Sequence, residues 1–210
     1  MRTFGDWMSW DDARDALAGR LSAEDVERLD AAYAFATDRH AGQTRPAGEP
    51  YTYHLLEVVE ILSTALNVTD ADLLTAALLH DVVEDTPTTR TEITQRFGPR
   101  VAELVDHVTM PPTPPGDDRA AARHRYLSRL RDLPADALRL KLADRYSNVQ
   151  RLHTHPRPAK QRAYYTETCH YLAPLAVVDS RLADLFTEWQ HAYQHLAQPP
   201  PSAGSGPADR

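Results

Sequence analysis

Residues 80 to 86 read HDVVEDT, which sets His80, Asp81, Glu84 and Asp85 within six positions. They follow an apolar run, LLTAALL, from Leu73 to Leu79. Carboxylates in the last turn of a helix face the negative end of its dipole, at a cost of a few tenths to about 1 kcal/mol each. On a continuous helix His80 and Glu84 lie four apart, as do Asp81 and Asp85, so all four share one broad face. The preceding turns are apolar all round, which marks a buried helix. Three buried carboxylates do not stay ionised without compensation. A bound divalent cation supplies it, and His beside Asp is a suitable ligand pair. The plainer alternative is a solvated polar end on a buried helix.

Two ligands are too few to hold an ion. Asp144 lies in LRLKLADRYSN, where Leu138, Leu140, Leu142 and Ala143 predict a second buried helix. An aspartate there needs a partner, either an arginine or the same cation. His54, in GEPYTYHLLEV, opens a third helix. It serves as a capping or core residue, or as a further ligand. Lys141 and Arg145 bracket Asp144 at helical spacing and can reach substrate phosphates or Glu84. Arg45 sits in a Pro/Gly loop that can fold over a pocket, where a guanidinium can stack on a purine. His40, His153 and His155 are assigned packing roles.

The elements that would position these groups are helical nearly throughout. Ser22 with Asp25 resembles a capping box and predicts a helix to about His40, with Val26, Leu29, Ala32, Tyr33 and Ala36 on one face. A loop, AGQTRPAGEPY, covers 41 to 51, and the next helix runs from about Tyr53 to Leu66. Asp70 caps the helix carrying HDVVEDT. Shorter helices follow at about 88–97 and 99–109, divided by Gly98-Pro99. The stretch MPPTPPGDD, 110–118, predicts an extended, mobile loop. Helices resume at about 119–132 and from Pro134 to about His153. A last helical region beyond Pro158 is divided or kinked at Pro174. No strand-like alternation of useful length appears, so the class is all-α. The expected organisation is an N-terminal extension at 1–21, one domain at 22–197, and a disordered tail at 198–210.

Composition limits the function classes. A net charge of −7 argues against a partner that is a nucleic acid polymer. The single Cys169 rules out an internal disulfide and fits a reducing compartment. No signal-peptide layout opens the chain and no apolar run approaches membrane-spanning length. The expectation is a cytoplasmic protein with no membrane partner; nothing in the sequence assigns an oligomeric state.

Taken together, H…HD…D with its members on three helices resembles the signature of HD metal-dependent phosphohydrolases. RPAGEPYTYH, ALLHDVVEDT and KLADRYSNVQRL narrow this, because they resemble three motifs of the hydrolase domain in RelA/SpoT-type alarmone enzymes. The resemblance covers roughly residues 22 to 195. The 210 residues leave no length for a nucleotide-synthesising domain, so the chain resembles the stand-alone small alarmone hydrolases.

That resemblance implies an HD-domain helical bundle with a metal site between helices. It implies His54, His80, Asp81 and Asp144 as metal ligands, Mn²⁺ as the ion, and Glu84 and Asp85 as the pair that positions and activates water. Arg45 would stack on the nucleobase and Asn148 would contact the nucleotide. The implied reaction removes the 3′-pyrophosphate from (p)ppGpp, leaving GDP or GTP, in the stringent response. Three places depart from the family pattern: Leu55 stands where proline is common, Pro46-Ala47 where Lys-Ser-like residues are frequent, and SNVQRL where HNMRTL is common, so Arg151 replaces a small hydroxyl residue. All lie where base or ribose would be read. Two other readings follow: hydrolysis of (p)ppApp or another 2′- or 3′-phosphorylated nucleotide, and a non-catalytic nucleotide-sensing or partner-binding module. Intact Glu84 and Asp85 count against the last.

Overall fold

The structure is a computed structural model that describes residues 1–197. The expected tail at 198–210 lies outside the described residues. Eleven α-helices occur among the described residues: α1 (Trp10–Ala18), α2 (Ala23–Arg39), α3 (Thr52–Glu60), α4 (Ala71–Leu79), α5 (Val82–Asp85), α6 (Arg90–Phe97), α7 (Pro99–Val108), α8 (Arg119–Arg129), α9 (Ala135–Val149), α10 (Pro158–Glu167) and α11 (Ser180–Tyr193). The class is all-α, as the periodicity predicts. The one extended pairing among these residues is an isolated bridge between Thr44 and Pro50.

Three helices form the centre. The residues of α4 are almost all buried, because its sequence is apolar on every face. It packs against α2, α3, α7 and α9. Asp70 caps it, accepting from the main-chain N–H groups of Asp72 (3.0 Å) and Leu73 (3.2 Å). The second, α9, is buried over most of its length and packs on α3, α4 and α7. The third, α3, continues into a π-helical turn, Ile61–Ala65, so the expected helix to Leu66 keeps its direction but widens near its end.

Other boundaries follow local chemistry. Ser22 accepts from Asp25 N–H at 3.1 Å and starts α2. Gly98, at φ +94°, separates α6 from α7, and Pro99 occupies the first turn of α7. No helix forms over 110–118. The expected helix to Asp132 ends in a 3₁₀ turn, Leu130–Asp132, and the one to His153 is interrupted before a 3₁₀ turn at Leu152–Thr154. Pro174 lies in a 3₁₀ segment, Ala173–Val178, that divides α10 from α11.

Residues 1–21 pack on the same core. Phe4, Ala13 and Leu17 are buried, and Phe4 meets Tyr146 of α9 edge-on with centroids 5.9 Å apart.

One departure shapes the site. The helix expected through HDVVEDT stops at Leu79, and His80 and Asp81 form a turn before α5 begins. Asp81, at φ −102° and ψ −5°, lies in the bridge region. Adjacent residues on an unbroken helix do not face each other. The break lets His80 and Asp81 turn toward one point.

Candidate metal centre

His54 lies in the first turn of α3, His80 and Asp81 in the turn after α4, and Asp144 in the middle of α9. The Nε2 atoms of His54 and His80 are 3.2 Å apart. Asp81 Oδ2 is 3.0 Å from His80 Nε2 and 3.6 Å from His54 Nε2. Asp144 Oδ1 is 3.4 Å from His54 Nε2 and 3.7 Å from His80 Nε2. All four predicted ligands therefore converge. His54, His80 and Asp81 alone already form a cluster able to hold a metal ion.

The outer nitrogens fix how the imidazoles face this point. His80 Nδ1 lies 2.8 Å from the carbonyl of Ala77, so it carries the proton. His54 Nδ1 lies 2.8 Å from Ser147 Oγ, and Ser147 donates to Glu57 Oε2 at 2.6 Å. Ser147 Oγ therefore accepts from His54. Each imidazole, when neutral, presents a bare Nε2 to the other, a pairing that a proton or a cation must bridge. Burial opposes ionisation here, but attraction prevails: His80 is raised well above its usual range by Asp81 and Asp144. Burial would likewise raise the Asp81 carboxyl, yet the charge of His80 holds it well below its usual range. For Asp144 the same is done by Lys141 and the two imidazoles. Two imidazoles and two ionised carboxylates at this spacing fit a mid-row divalent cation, which would take the place of a proton between the rings.

The remaining predicted residues surround this cluster. Asn148 Nδ2 donates to Asp144 Oδ1 at 2.6 Å, and Lys141 Nζ lies 2.9 Å from Asp144 Oδ2. Lys141 is buried and also donates to the carbonyl of Val108 at 3.3 Å. Its pKa is raised, since Asp144 outweighs the desolvation that would lower it. Arg145 pairs with Glu167 at 2.7 Å, a carboxylate it shares with Arg123. Glu84 Oε2 accepts the main-chain N–H of Met110 at 2.9 Å. Burial pushes its carboxyl up, with that bond opposing. The Asp85 carboxyl is also pushed up, by burial and then by Asp81.

Arg45 lies on a tight turn closed by its own bonds with Glu49 and Gly48 (2.8 and 2.9 Å). Its guanidinium binds Glu57 Oε2 at 2.9 Å and the carbonyl of Ser147 at 3.2 Å. A cavity of about 190 Å³ opens beside it, with Pro46, Asn148, Arg151, His155 and Tyr164 among its walls. A broader groove of about 700 Å³ opens beside Glu84, with Arg119, Arg123 and Lys160 on it. His153 pairs with Tyr193 (2.7 Å), and buried His40 stacks on Tyr51 at 4.6 Å.

Sequence reasoning missed Tyr51, Glu57 and Ser147. The Tyr51 hydroxyl donates to Asp81 and lies 3.5 Å from Asp85 Oδ2, joining a carboxylate of the cluster to a neighbouring one. A detectable signal existed for Glu57: it is the one charge in the apolar run LLEVV that follows His54.

Comparison with known proteins agrees with this geometry. The HD domain family matches residues 32–179, a span that holds all four converging side chains. A Vibrio cholerae guanosine-3′,5′-bis(diphosphate) 3′-pyrophosphohydrolase is 38% identical over 172 residues, covering 80% of this chain and 24% of that protein. The Escherichia coli bifunctional (p)ppGpp synthase/hydrolase SpoT is 39% identical over 159 residues, covering 74% and 22%. The chain thus spans about a quarter of the length of these relatives. A solved structure of a metazoan ortholog of SpoT, one that hydrolyses ppGpp, superposes with a TM-score of 0.72 at 26% identity, covering 81% of this chain and 96% of that one. A family match over more than half the chain, with the paired His80 and Asp81 inside it, makes this protein a member of the HD domain family.

Proposed function

We propose that this protein is a Mn²⁺-dependent hydrolase that removes the 3′-pyrophosphate from (p)ppGpp, giving GDP or GTP and pyrophosphate. The observation that carries the reading is the convergence of the two imidazole Nε2 atoms, 3.2 Å apart, on Asp81 and Asp144 beside Glu84 and Asp85. The relatives named for this activity support the choice of substrate. His54, His80, Asp81 and Asp144 would hold the ion. When bound, a divalent cation withdraws charge from a phosphoryl oxygen and acidifies water. Glu84 keeps one carboxylate oxygen free of the Met110 bond, and that oxygen accepts a proton from the attacking water. Asp85, 3.5 Å from the Tyr51 hydroxyl, orients that water. Water adds to the phosphorus attached to O3′, the P–O3′ bond breaks, and the proton ends on O3′. Arg45 and Asn148 bind the nucleoside in the adjoining cavity, and Lys141 steadies Asp144.

Of the departures from the family pattern, Pro46, Ala47 and Arg151 line that cavity, whereas Leu55 is fully buried in α3 and does not. This favours a second reading of base choice, (p)ppApp in place of (p)ppGpp, with the metal chemistry unchanged. Guanine remains the proposed preference, since the other motif residues match guanine-processing relatives. The test is hydrolysis of ppGpp and ppApp in one tube, by chelated enzyme and after a panel of divalent ions. We expect no turnover without metal, recovery with Mn²⁺, and faster loss of ppGpp. Full activity after exhaustive chelation would remove the metal reading. An adenine preference of about tenfold, roughly 1.4 kcal/mol in the transition state, would overturn the base choice alone.

A further inference from the structure

Glu57 is buried among Leu55, Leu56, Val58 and Val59, all fully buried, and its side chain is 6% exposed. A charge in that setting is held by its partners. Oε2 accepts from Ser147 Oγ at 2.6 Å and from Arg45 Nη1 at 2.9 Å, while Oε1 accepts from Arg151 Nη1. An ionised carboxylate has no proton to give, so Ser147 must aim its hydrogen at Glu57. Ser147 Oγ is left with lone pairs for His54 Nδ1, 2.8 Å away. That fixes His54 with Nδ1 protonated and Nε2 free.

The same carboxylate seats two guanidiniums of the cavity wall, Arg45 and Arg151. The N-terminal segment closes the arrangement. Arg151 Nη2 donates to the carbonyl of Phe4, and a Cβ on Gly5, at φ +128°, would stand 2.5 Å from Arg151 Nη2. Only glycine lets the chain pass there.

We propose that Glu57 is a positioning residue that holds His54 in its metal-binding tautomer and sets Arg45 and Arg151 on the wall of the neighbouring cavity, linking the metal centre to the nucleotide subsite. The inference rests on the metal-centre reading above. A ligand that draws Arg45 off Oε2 leaves that oxygen to Ser147 and strengthens the bond that orients His54. Metal and nucleotide then favour each other's binding, reciprocally.

The test is Mn²⁺ affinity by calorimetry, without substrate, for the full chain and its variants, alongside kcat and KM for ppGpp. Glu57→Gln should weaken Mn²⁺ binding by about tenfold or more, the range for outer partners of a ligating histidine. Ser147→Ala should do the same, and the double variant should lose little more, because both act through one chain of bonds. Arg151→Ala should raise KM, since Arg151 stands on the cavity wall. A folded Glu57→Gln with wild-type Mn²⁺ affinity would overturn the proposal, as would additive losses in the double variant. If Glu57→Gln does not fold, Ser147→Ala decides alone: unchanged Mn²⁺ affinity there overturns the proposal. Wild-type chain that binds no Mn²⁺ would overturn the metal-centre reading itself, whereas tight wild-type binding with unaffected variants overturns only the role of Glu57.

Discussion

At the scale of single residues, the proposed roles separate ion holding from proton transfer. His54, His80, Asp81 and Asp144 face one another, whereas Glu84 and Asp85 sit on the short α5 beyond the break. Glu84→Gln and Asp85→Asn keep shape and remove a proton acceptor or an orienting charge. Each should lower kcat about a hundredfold or more while bound metal, measured by atomic emission, stays at the wild-type level. Unchanged turnover in both would reduce the pair to a polar helix end. The converging side chains were legible in the sequence because their chemistry conflicts with apolar surroundings: a His-Asp pair after LLTAALL, and an aspartate inside LRLKLAD. Tyr51 and Ser147 were not legible. Each is an ordinary polar residue until the packing of α3 on α9 and the turn at residue 81 bring it to Asp81 or His54.

At the scale of elements, helix starts were easier to read than helix ends. Several starts carry a side-chain cap: Ser22, Asp70, Thr89, Asp118 and Asp179 each accept from a main-chain N–H of the first turn. Several ends pass into 3₁₀ or π turns, which depend on packing and leave no mark in composition. The break after Leu79 belongs with these, since HDVVEDT contains neither glycine nor proline. Asp70 tests the cap argument. It caps the helix that delivers His80 and also pairs with Arg100 at the surface. Asp70→Ala should cost about 1 kcal/mol, within the usual range of roughly 0.5 to 2, read from urea unfolding. A midpoint equal to wild type would show that α4 is held by burial alone.

At the scale of the whole molecule, three central helices share one core and one cluster of ionised groups. The core was legible from helical periodicity. The contribution of residues 1–21 was not, because Phe4 and Trp7 precede any periodic segment and their burial depends on where α9 lies. Among the described residues no helix is long and apolar enough to cross a membrane. A cation joining α3, α4 and α9 must stabilise the fold as a unit. With Mn²⁺ at a hundredfold excess over its Kd, the gain is about 2.7 kcal/mol. For a chain of this size each 1 kcal/mol moves the melting temperature by roughly 2–4 °C. Chelation should therefore lower Tm by about 5–10 °C in scanning calorimetry. An identical Tm with and without chelator would argue against an ion at this junction.

The bond from Met110 to Glu84 has an evolutionary reading. It is made by the main chain, so it does not depend on which side chain occupies position 110. The loop that supplies it can drift in sequence and still hold the carboxylate, with one exception: proline has no N–H to give. Prolines crowd the next positions, at 111, 112, 114 and 115, and the donor sits just ahead of them. Met110→Ala should therefore leave kcat near wild type in steady-state assays, while Met110→Pro should depress it by freeing Glu84.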